Sequence, residues 1–198
     1  MGQLEGSQAD VAIARLETER LVLRSWREDD LEPFAALNAD PAVMESFPGT
    51  LPRRESDRLA ARIQEHFVRH GFGLWALEAP GRAAFVGFVG LSVPAFEAPF
   101  TPCIEIGWRL ARAHQGLGYA TEAARAALAY AFGPLALGEV VSFTVPANRA
   151  SRRVMEKLGM TRDPRDDFDH PTLPTGHPLR RHVLYRIRRP NPASASTS

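Results

Sequence analysis

The stretch Ile104-Glu-Ile-Gly-Trp-Arg-Leu-Ala-Arg-Ala-His-Gln-Gly-Leu-Gly-Tyr-Ala-Thr-Glu-Ala-Ala124 decides the fold of this chain. Its first part is typical of a strand, its middle is rich in glycine, and its alanine-rich end is typical of a helix. Gly116 and Gly118 let the backbone approach a ligand closely, and the first turn of the following helix presents unpaired N–H groups. A strand, a glycine loop and a helix in this order predict a binding site for an anion, most often a phosphate.

Two other glycine loops that bind phosphate do not fit this stretch. A Walker loop ends in Gly-Lys-Ser or Gly-Lys-Thr, but the single lysine of the chain is Lys157. A dinucleotide fingerprint, G-x-G-x-x-G, needs a third glycine where Thr121 stands and an acidic residue at the end of a strand about 20 residues further on. Both requirements fail, so neither of these sites is predicted.

The remaining pattern, Gln115-Gly-Leu-Gly-Tyr-Ala120, reads Q-x-x-G-x-A and resembles the pyrophosphate loop of the GCN5-related N-acetyltransferases (GNAT). Further segments resemble parts of the same family in the same order. Thr18–Arg24 is similar to its first strand, Glu105–Trp108 to its fourth, and Asn148–Ser151 with Lys157–Met160 to the exit of its fifth strand and the following helix. The resemblance covers residues 16–188 and is closest to the RimJ/RimL branch.

The resemblance implies an α/β (α+β) fold of the GNAT type. In this fold a mixed, mostly antiparallel sheet of six to seven strands is flanked by about four helices, with a splay between the fourth and fifth strands. We expect one GNAT domain over residues 15–189, an N-terminal extension over 1–14, and a disordered tail over 190–198, where small, polar and proline residues prevail. The alternation of strand and helix patterns along the chain agrees with this fold.

Local patterns give the positions of the elements. Strands are expected at Leu21–Trp26, Phe72–Glu78, Phe85–Val93, Ile104–Leu110, Val140–Val145 and Val183–Ile187. Helices are expected from a cap at Asp29-Asp30 to Leu37, over 53–70 with Gly71 as its end, over Thr121–Phe132, and from an Asn148 cap to Gly159. A helical turn is expected at Pro41–Phe47, and a long loop at Thr161–His182.

Composition limits the partners and the compartment. A length of 198 residues suits one domain, and a net charge of +1 gives no field that would attract nucleic acid or an anionic membrane. The single cysteine, Cys103, excludes an internal disulfide, and no run of 18 apolar residues is present. We expect a cytoplasmic protein. Because GNAT enzymes are often dimers, the resemblance allows a homodimer.

The resemblance also assigns a site for acetyl-CoA as co-substrate. In GNAT enzymes the backbone of the fourth strand pairs with the pantetheine arm, a role that falls here to Trp108, Arg109 and Leu110. The residues expected to bind the pyrophosphate, mostly through backbone N–H groups, are Gln115, Gly116, Leu117, Gly118, Tyr119, Ala120 and Thr121. Many family members have arginine in place of Gln115, so phosphate binding here depends more on the amides and the helix dipole. Tyr119 is expected to be a packing residue.

Gly107 lies in the middle of the signature strand. Glycine at such a position marks a bulge or a close approach of backbone, or else is an ordinary weak point in a strand. A bulge would turn this strand away from Val140–Val145 and open the slot that the pantetheine arm enters.

Two residues near the fifth strand have alternative roles. Asn148 suffices as a helix N-cap without any ligand, while the resemblance adds a contact with the CoA arm. Many GNAT enzymes protonate the departing thiolate with a tyrosine in this helix, but Met155 stands at the matching position. In the RimJ/RimL branch a serine is proposed for that role, and Ser151 lies one turn earlier. Ser151 is therefore a candidate acid, or it caps the helix or contacts CoA.

Glu105 is the best candidate for a general base. Strand alternation places it on the same face as Gly107, where a carboxylate can take the proton of an ammonium group directly or through water. The alternative is a structural ion pair with one of the many arginines. Glu122, in the first helical turn, is expected to be structural, since a negative charge there suits the helix dipole.

The segment Thr161–His182 is expected to contact the acceptor. Five of its residues are candidates for metal binding, namely Asp166, Asp167, Asp169, His170 and His177. Their spacing matches no compact metal-ligand pattern, so no metal site is predicted, and an acidic loop that attracts a cationic amine is favoured. Phe96–Phe100 is either the other wall of the acceptor site or surface filler.

The sequence thus predicts an acetyl-CoA-dependent N-acetyltransferase without a metal, which acts on a primary amine by direct attack. The acceptor, a protein N-terminus or a small molecule, stays open. The alternative is a non-catalytic acyl-CoA-binding regulatory module, supported only by the missing tyrosine. Cys103 has no paired histidine motif and so does not favour a covalent acyl-enzyme.

Overall fold

The computed structural model describes residues 13–190, so most of the predicted extension (1–14) and tail (190–198) lies outside the described residues. The helices are α1 (Leu31–Ala39), α2 (Arg53–His70), α3 (Tyr119–Phe132) and α4 (Arg149–Lys157). The strands are β1 (Leu16–Glu17), β2 (Val22–Arg24), β3 (Leu74–Ala79), β4 (Ala83–Ser92), β5 (Glu105–Leu110), β6 (Glu139–Thr144), β7 (Thr161–Arg162), β8 (Phe168–Asp169) and β9 (Arg181–Arg188). Short 3-10 turns lie at Glu28–Asp30, Arg112–His114 and Pro164–Asp166.

The strands form one sheet in the order β1-β2-β3-β4-β5-β6-β9-β7, with β8 paired to β9 off this path. Every pair is antiparallel except β5 and β6, which run parallel. A mixed, mostly antiparallel sheet with four helices is confirmed, but with nine strands in place of six to seven. The strands that were not predicted are β1, β7 and β8, whose two residues each are too few to leave an alternating pattern.

The splay between β5 and β6 is present. The two strands share a single pairing, Glu105 with Val141, and the Val141 N–H donates to the Ile104 carbonyl over 2.9 Å. The predicted cause is wrong, because β4 and β5 keep an unbroken register through Gly107 and no bulge interrupts it. The opening arises because β5 stays paired with β4 along its whole length while β6 stays paired with β9.

One face of the sheet packs against α1. Phe88 and Arg109 are register partners on this face. The Phe88 ring lies 5.9 Å from the ring of Phe34 in α1, and the Arg109 side chain donates to Asn38 of the same helix. Because strand residues alternate between faces, Glu105 shares this face with Arg109.

The opposite face carries α4. Val141 is paired with Glu105, so its neighbour Ser142 and the Ser142 partner Tyr185 point to the other side of the sheet. There the Tyr185 hydroxyl donates to Glu156 of α4 over 3.1 Å. The splay is therefore bordered by α1 on one face and by α4 on the other.

Glycines end two helices as predicted. Gly71 follows α2 with a φ of 74°, and Gly159 follows α4 with a φ of 79°. The Gly71 N–H donates to the Phe67 carbonyl over 2.8 Å, which closes the last turn of α2. Ile63 and Phe67 are buried, which confirms the amphipathic pattern of this helix.

The start of α1 differs from the prediction. Glu28–Asp30 is a 3-10 turn, α1 begins at Leu31, and the Asp30 side chain does not cap it. The Asp30 carboxylate instead accepts two hydrogen bonds, over 2.7 and 2.8 Å, from the buried guanidinium of Arg24. Arg24 also donates to Glu78 of β3 over 2.8 Å, so a buried ion-pair network links three elements.

Candidate active site

The glycine loop between β5 and α3 has the geometry of an anion site. Gly116 and Gly118 have positive φ values of 74° and 83°, and a Cβ atom added at Gly116 would meet no atom within 4 Å. α3 begins at Tyr119, and no side chain in the described part of the chain caps it. The N–H groups of its first turn are therefore available to an anionic ligand.

The side chains of the loop support its shape and turn inward. The Gln115 amide donates to the Leu110 carbonyl over 2.9 Å, which ties the loop to the end of β5. Tyr119 and Thr121 are buried, which confirms Tyr119 as a packing residue, while Leu117 is exposed. Backbone groups, more than side chains, thus face the ligand space of this loop.

Arg20 supports the loop from a distant part of the chain and was not predicted. Its guanidinium donates to the Leu117 carbonyl over 3.0 Å and lies 5.0 Å from the centre of the Tyr119 ring. It also donates to Glu122 over 2.7 Å, and Thr18 donates to the same carboxylate over 2.6 Å. Glu122 is therefore structural, as predicted. No local signal in the sequence points to Arg20, because its partners lie about a hundred residues away.

Glu105 lies where β5 and β6 begin to separate. The hydroxyl of Ser92 donates to its carboxylate over 3.4 Å, and Glu105 takes part in no ion pair within residues 13–190. The alternative of an arginine partner is therefore wrong. Burial raises the pKa of Glu105 to about 7, and the Ser92 hydrogen bond opposes this shift only in part. This carboxyl can exchange a proton near neutral pH.

Gly107 keeps the space beside Glu105 open. A Cβ atom at Gly107 would have a single neighbour within 4 Å, the Glu105 Oε1 atom at 3.9 Å. The β6-facing edge of β5 beyond Glu105 pairs with no strand in the described residues. An extended chain with amide groups, such as a pantetheine arm, can pair with this edge as a strand would. The three residues concerned, Trp108, Arg109 and Leu110, turn their side chains elsewhere, Leu110 and most of Trp108 into the core.

Asn148 and Ser151 lie where α4 begins. The Asn148 Oδ1 atom accepts from the Ser151 N–H over 3.1 Å, and its Nδ2 atom donates to Thr144 over 3.0 Å. The predicted N-cap is thus confirmed, and it uses both ends of the amide. The Ser151 hydroxyl makes no hydrogen bond within the described residues. Met155, at the position of the family's tyrosine, is buried and 1% exposed, so it contributes to the core.

The segment 161–182 is mostly loop, as the sequence predicts, but short elements interrupt it. It contains β7, a 3-10 turn, β8 and the start of β9. Its aspartates are neutralised by arginines: Asp166 pairs with Arg186 and Asp167 with Arg162. The predicted acidic surface is therefore absent from this segment, since Asp169 also pairs with Arg180 and Arg181.

Six rings form a cluster, here called the aromatic cluster, on the Glu105 face of the sheet. Its members are Phe96, Phe100, Phe143, Phe168, His170 and His182. The centres of Phe100 and Phe168 are 4.7 Å apart, and those of His170 and His182 are 5.0 Å apart. Burial lowers the pKa of both histidines, so they are neutral at pH 7. The cluster joins the Phe96–Phe100 segment to β6, β8 and β9.

Cys103 lies beside this cluster and is half-buried. Desolvation raises the pKa of its thiol to about 11, and the charge of Glu105 adds to this shift. A thiol with this pKa is almost entirely protonated at neutral pH and is a poor nucleophile.

Comparison with known proteins decides the family. Residues 20–161 match the family model for the acetyltransferase (GNAT) domain. The chain belongs to the GNAT family. It is 44% identical over 182 residues to YnaD of Bacillus subtilis (strain 168), which is called an uncharacterized N-acetyltransferase, and the match covers 87% of this chain and 95% of YnaD.

Solved structures of GNAT proteins share its fold. An acetyltransferase from Agrobacterium tumefaciens C58 superposes with a TM-score of 0.72 at 29% identity, covering 89% of this chain and 95% of the other. RimJ of Mycobacterium smegmatis, in complex with CoA-disulfide, gives a TM-score of 0.72 at 20% identity, covering 95% and 92% of the two chains. At that identity the likeness to RimJ concerns the fold alone.

This GNAT protein is an acetyl-CoA-dependent acyltransferase, as its family and its N-acetyltransferase relatives show. The uncapped α3, the two glycines with positive φ and the unpaired edge of β5 all suit the diphosphate and the amide-containing arm of CoA. None of the helices in the described part is long and apolar enough to cross a membrane.

Proposed function

We propose that this GNAT enzyme transfers the acetyl group of acetyl-CoA to the nitrogen of a primary amine, by direct attack in the opening between β5 and β6. The observation that carries the proposal is Glu105, a carboxyl at the start of this opening that has no ion-pair partner among residues 13–190. Within the family we place the chain in the RimJ/RimL-like branch, on the sequence resemblance and on Ser151 in α4, one turn before Met155, which stands where many members have a tyrosine.

The residues that hold the co-substrate follow from the geometry of the loop and of β5. Backbone N–H groups of the glycine loop and of the first turn of α3 bind the diphosphate, and the free edge of β5 at Trp108, Arg109 and Leu110 pairs with the pantetheine arm. Asn148 contacts the same arm from the start of α4. The bound co-substrate supplies an activated acyl carbon and a thiolate that leaves.

Glu105 acts as the general base. An ammonium group must lose a proton before its nitrogen can attack, and a base with a pKa near the working pH is the most effective. Because burial raises the pKa of Glu105 to about 7, this carboxylate is a stronger base than an exposed glutamate and is still ionised at neutral pH in a large fraction of molecules. Gly107 leaves room for the amine next to it.

Ser151 donates the proton to the departing thiolate. It lies on α4, on the face opposite to Glu105, and its hydroxyl has no partner among the described residues. In this proposal the base and the acid belong to opposite faces of the sheet. A thiolate is a good leaving group, so the contribution of Ser151 is smaller than that of Glu105.

Direct attack is favoured over an acyl-enzyme. An acyl-enzyme route needs a nucleophile in its reactive form, and Cys103 is the only cysteine of the chain. Because the pKa of its thiol is raised to about 11, it holds its proton throughout the neutral range.

The proposal is tested by steady-state kinetics with saturating acetyl-CoA and amine. We expect kcat of the wild type to rise tenfold per pH unit below about pH 7 and to level off above it, following Glu105. Glu105→Gln should lower kcat by about 100-fold and remove this limb, and Ser151→Ala should lower it by about tenfold. Glu65→Gln, on the exposed side of α2, is the matched control. Unchanged rates in Glu105→Gln and Ser151→Ala would show that Glu105 is not the general base and that Ser151 is not the acid.

A further inference from the structure

Arg109 is a half-buried arginine on the Glu105 face of the sheet, and it has no acidic partner among residues 13–190. Its guanidinium lies 4.1 Å from the centre of the Phe47 ring and 5.4 Å from that of Phe88, and it donates to the neutral amide of Asn38. The Nε atom is buried and makes no hydrogen bond within the described residues. Desolvation lowers the pKa of Arg109 to about 10, which still leaves the group charged at neutral pH.

Arg24 shows how the same sheet treats a structural arginine. Arg24 is buried, and two carboxylates, of Asp30 and Glu78, and the carbonyl oxygens of Ser25 and Ala84 accept its N–H groups. A buried charge with such partners stabilises a fold, whereas a buried charge without a counter-ion costs free energy. The isolation of Arg109 is therefore not explained by a structural role, and it leaves a place for an anion.

The position of Arg109 indicates which anion this is. Glu105, Gly107 and Arg109 follow one another on the same face of β5, about 13 Å from first to last between Cα atoms. Gly107 contributes no side chain between them, and the space above it is open. A ligand whose amine lies at Glu105 can therefore extend over Gly107 toward the guanidinium. The anion site of the glycine loop belongs to the opposite face of the sheet. It lies at the start of α3, and Tyr130 of this helix packs on Trp75, which points away from the α1 face.

We propose that Arg109 binds an anionic group of the acceptor, so that the preferred acceptor is a primary amine that also carries a carboxylate or a phosphate. This inference rests on the proposed function and narrows its substrate class. Arginine suits the role because its planar fork of N–H donors matches both anions. The Phe47 and Phe88 rings contact the guanidinium, and the Asn38 amide accepts from only one of its nitrogens, so N–H donors remain for the ligand.

The test compares amines in matched pairs, with and without the anion. The pairs are 4-aminobutyrate with butylamine, and phosphoethanolamine with ethanolamine. The pair in which the anionic amine is more strongly preferred shows whether Arg109 binds a carboxylate or a phosphate. We expect the anionic member to have the higher kcat/KM by about 10- to 100-fold, the range of a charge-assisted hydrogen bond. Arg109→Gln should abolish this preference, Arg109→Lys should keep part of it, and the KM for acetyl-CoA should not change.

Two controls separate recognition from structure. Arg62→Gln removes an exposed positive charge from α2 and should retain the preference. Arg109→Met should not lower the melting temperature of the ligand-free protein, because it removes an unpaired buried charge. A wild type that acetylates both members of each pair equally, with the ratio unchanged in Arg109→Gln, overturns the inference and leaves the proposed function standing. If no amine is acetylated at all, it is the proposed function that fails.

Discussion

At the scale of single residues, Glu105 makes a prediction about stability as well as activity. The folded protein holds the Glu105 proton up to about pH 7, whereas an unfolded chain releases it near 4.5. In that window the folded state binds more protons, so the contribution of this group to the free energy of unfolding falls as the pH rises. Glu105→Gln should therefore be more stable than the wild type at pH 8 by roughly 1–3 kcal/mol, with little difference at pH 4.5.

Urea unfolding of both proteins at the two pH values measures this difference. Glu122→Gln serves as a control, because its effect on stability at pH 8 should have the opposite sign. Burial raises the pKa of Glu122, but hydrogen bonds from Thr18 and Arg20 outweigh burial and lower it overall. Its contribution is present at neutral pH and is lost as the pH falls through its folded pKa, so this variant should be less stable than the wild type at pH 8. A Glu105→Gln variant that is also destabilised at pH 8 would contradict the buried, unpaired carboxyl.

Asn148 provides a second prediction at this scale, since its cap and its proposed contact with CoA can be separated. Asn148→Ala should cost about 1 kcal/mol of stability because the Ser151 N–H loses its acceptor. Asn148→Asp keeps a capping oxygen and should recover most of this loss. If the side chain also contacts the CoA arm, the aspartate variant should still have a raised KM for acetyl-CoA. Recovery of both stability and KM would limit Asn148 to the cap.

At the scale of the elements, two glycines that face each other in β4 and β5 should respond differently to the same change. Gly107→Ala adds a methyl group to open space, so stability should change by less than about 0.5 kcal/mol. Its register partner Gly90 is different, because a Cβ atom there would lie 2.1 Å from the carbonyl oxygen of Gly73. Gly90→Ala should therefore destabilise the protein by more than about 2 kcal/mol.

Among folded molecules, the loss of activity should have the reverse order, larger for Gly107→Ala than for Gly90→Ala. The methyl group of Gly107→Ala occupies the path between Glu105 and Arg109, so kcat/KM for the amine should fall by more than about tenfold. Thermal unfolding and initial rates of the two variants provide both measurements. A Gly107→Ala enzyme with wild-type kcat/KM would show that the amine does not pass this position.

The elements that the sequence located well are those whose signal is local. The signature strand, the glycine loop and α3 lie within two residues of their predicted bounds, because alternation, paired glycines and a run of alanines are all read within a short window. Of the three strands that it missed, β7 and β8 exist only through their pairing with β9, and β1 only through its pairing with β2. The splay was expected from the resemblance, but its cause in strand pairing is visible only in the sheet.

At the scale of the whole molecule, the Arg24 network holds the first part of the chain to the sheet. Arg24 links β2, the start of α1 and β3 through buried ion pairs. Arg24→Met would leave the buried Asp30 carboxylate without a counter-ion, so we expect a loss of about 3–5 kcal/mol in the free energy of unfolding. Arg109→Met is the same substitution at another arginine of the sheet, and chemical denaturation should show no such loss for it. Equal losses would mean that both arginines are structural.

The candidate site follows the same division between local and distant signals. The sequence placed Glu105, the glycine loop and Asn148, since each belongs to a short pattern. It gave no indication of Arg20, or of the isolation of the Arg109 guanidinium, because both depend on contacts between residues 71 to 102 positions apart. The ion pairs of Asp166, Asp167 and Asp169 span only 5 to 20 positions, but they form because β7 and β8 pair with β9, which the sequence did not predict. The segment 161–182 therefore looked more acidic than it is.

The central claim is that this chain transfers acetyl groups from acetyl-CoA directly to a primary amine. The most direct measurement mixes the purified protein with acetyl-CoA and a panel of amines, and follows released CoA, the acetylated amines and the mass of the intact protein together. Direct transfer predicts one acetylated amine for each CoA released, with no acetyl group on the protein when amine is omitted. Acetyl-CoA that binds without any amine being acetylated, or an acetyl group retained on Cys103, would contradict it.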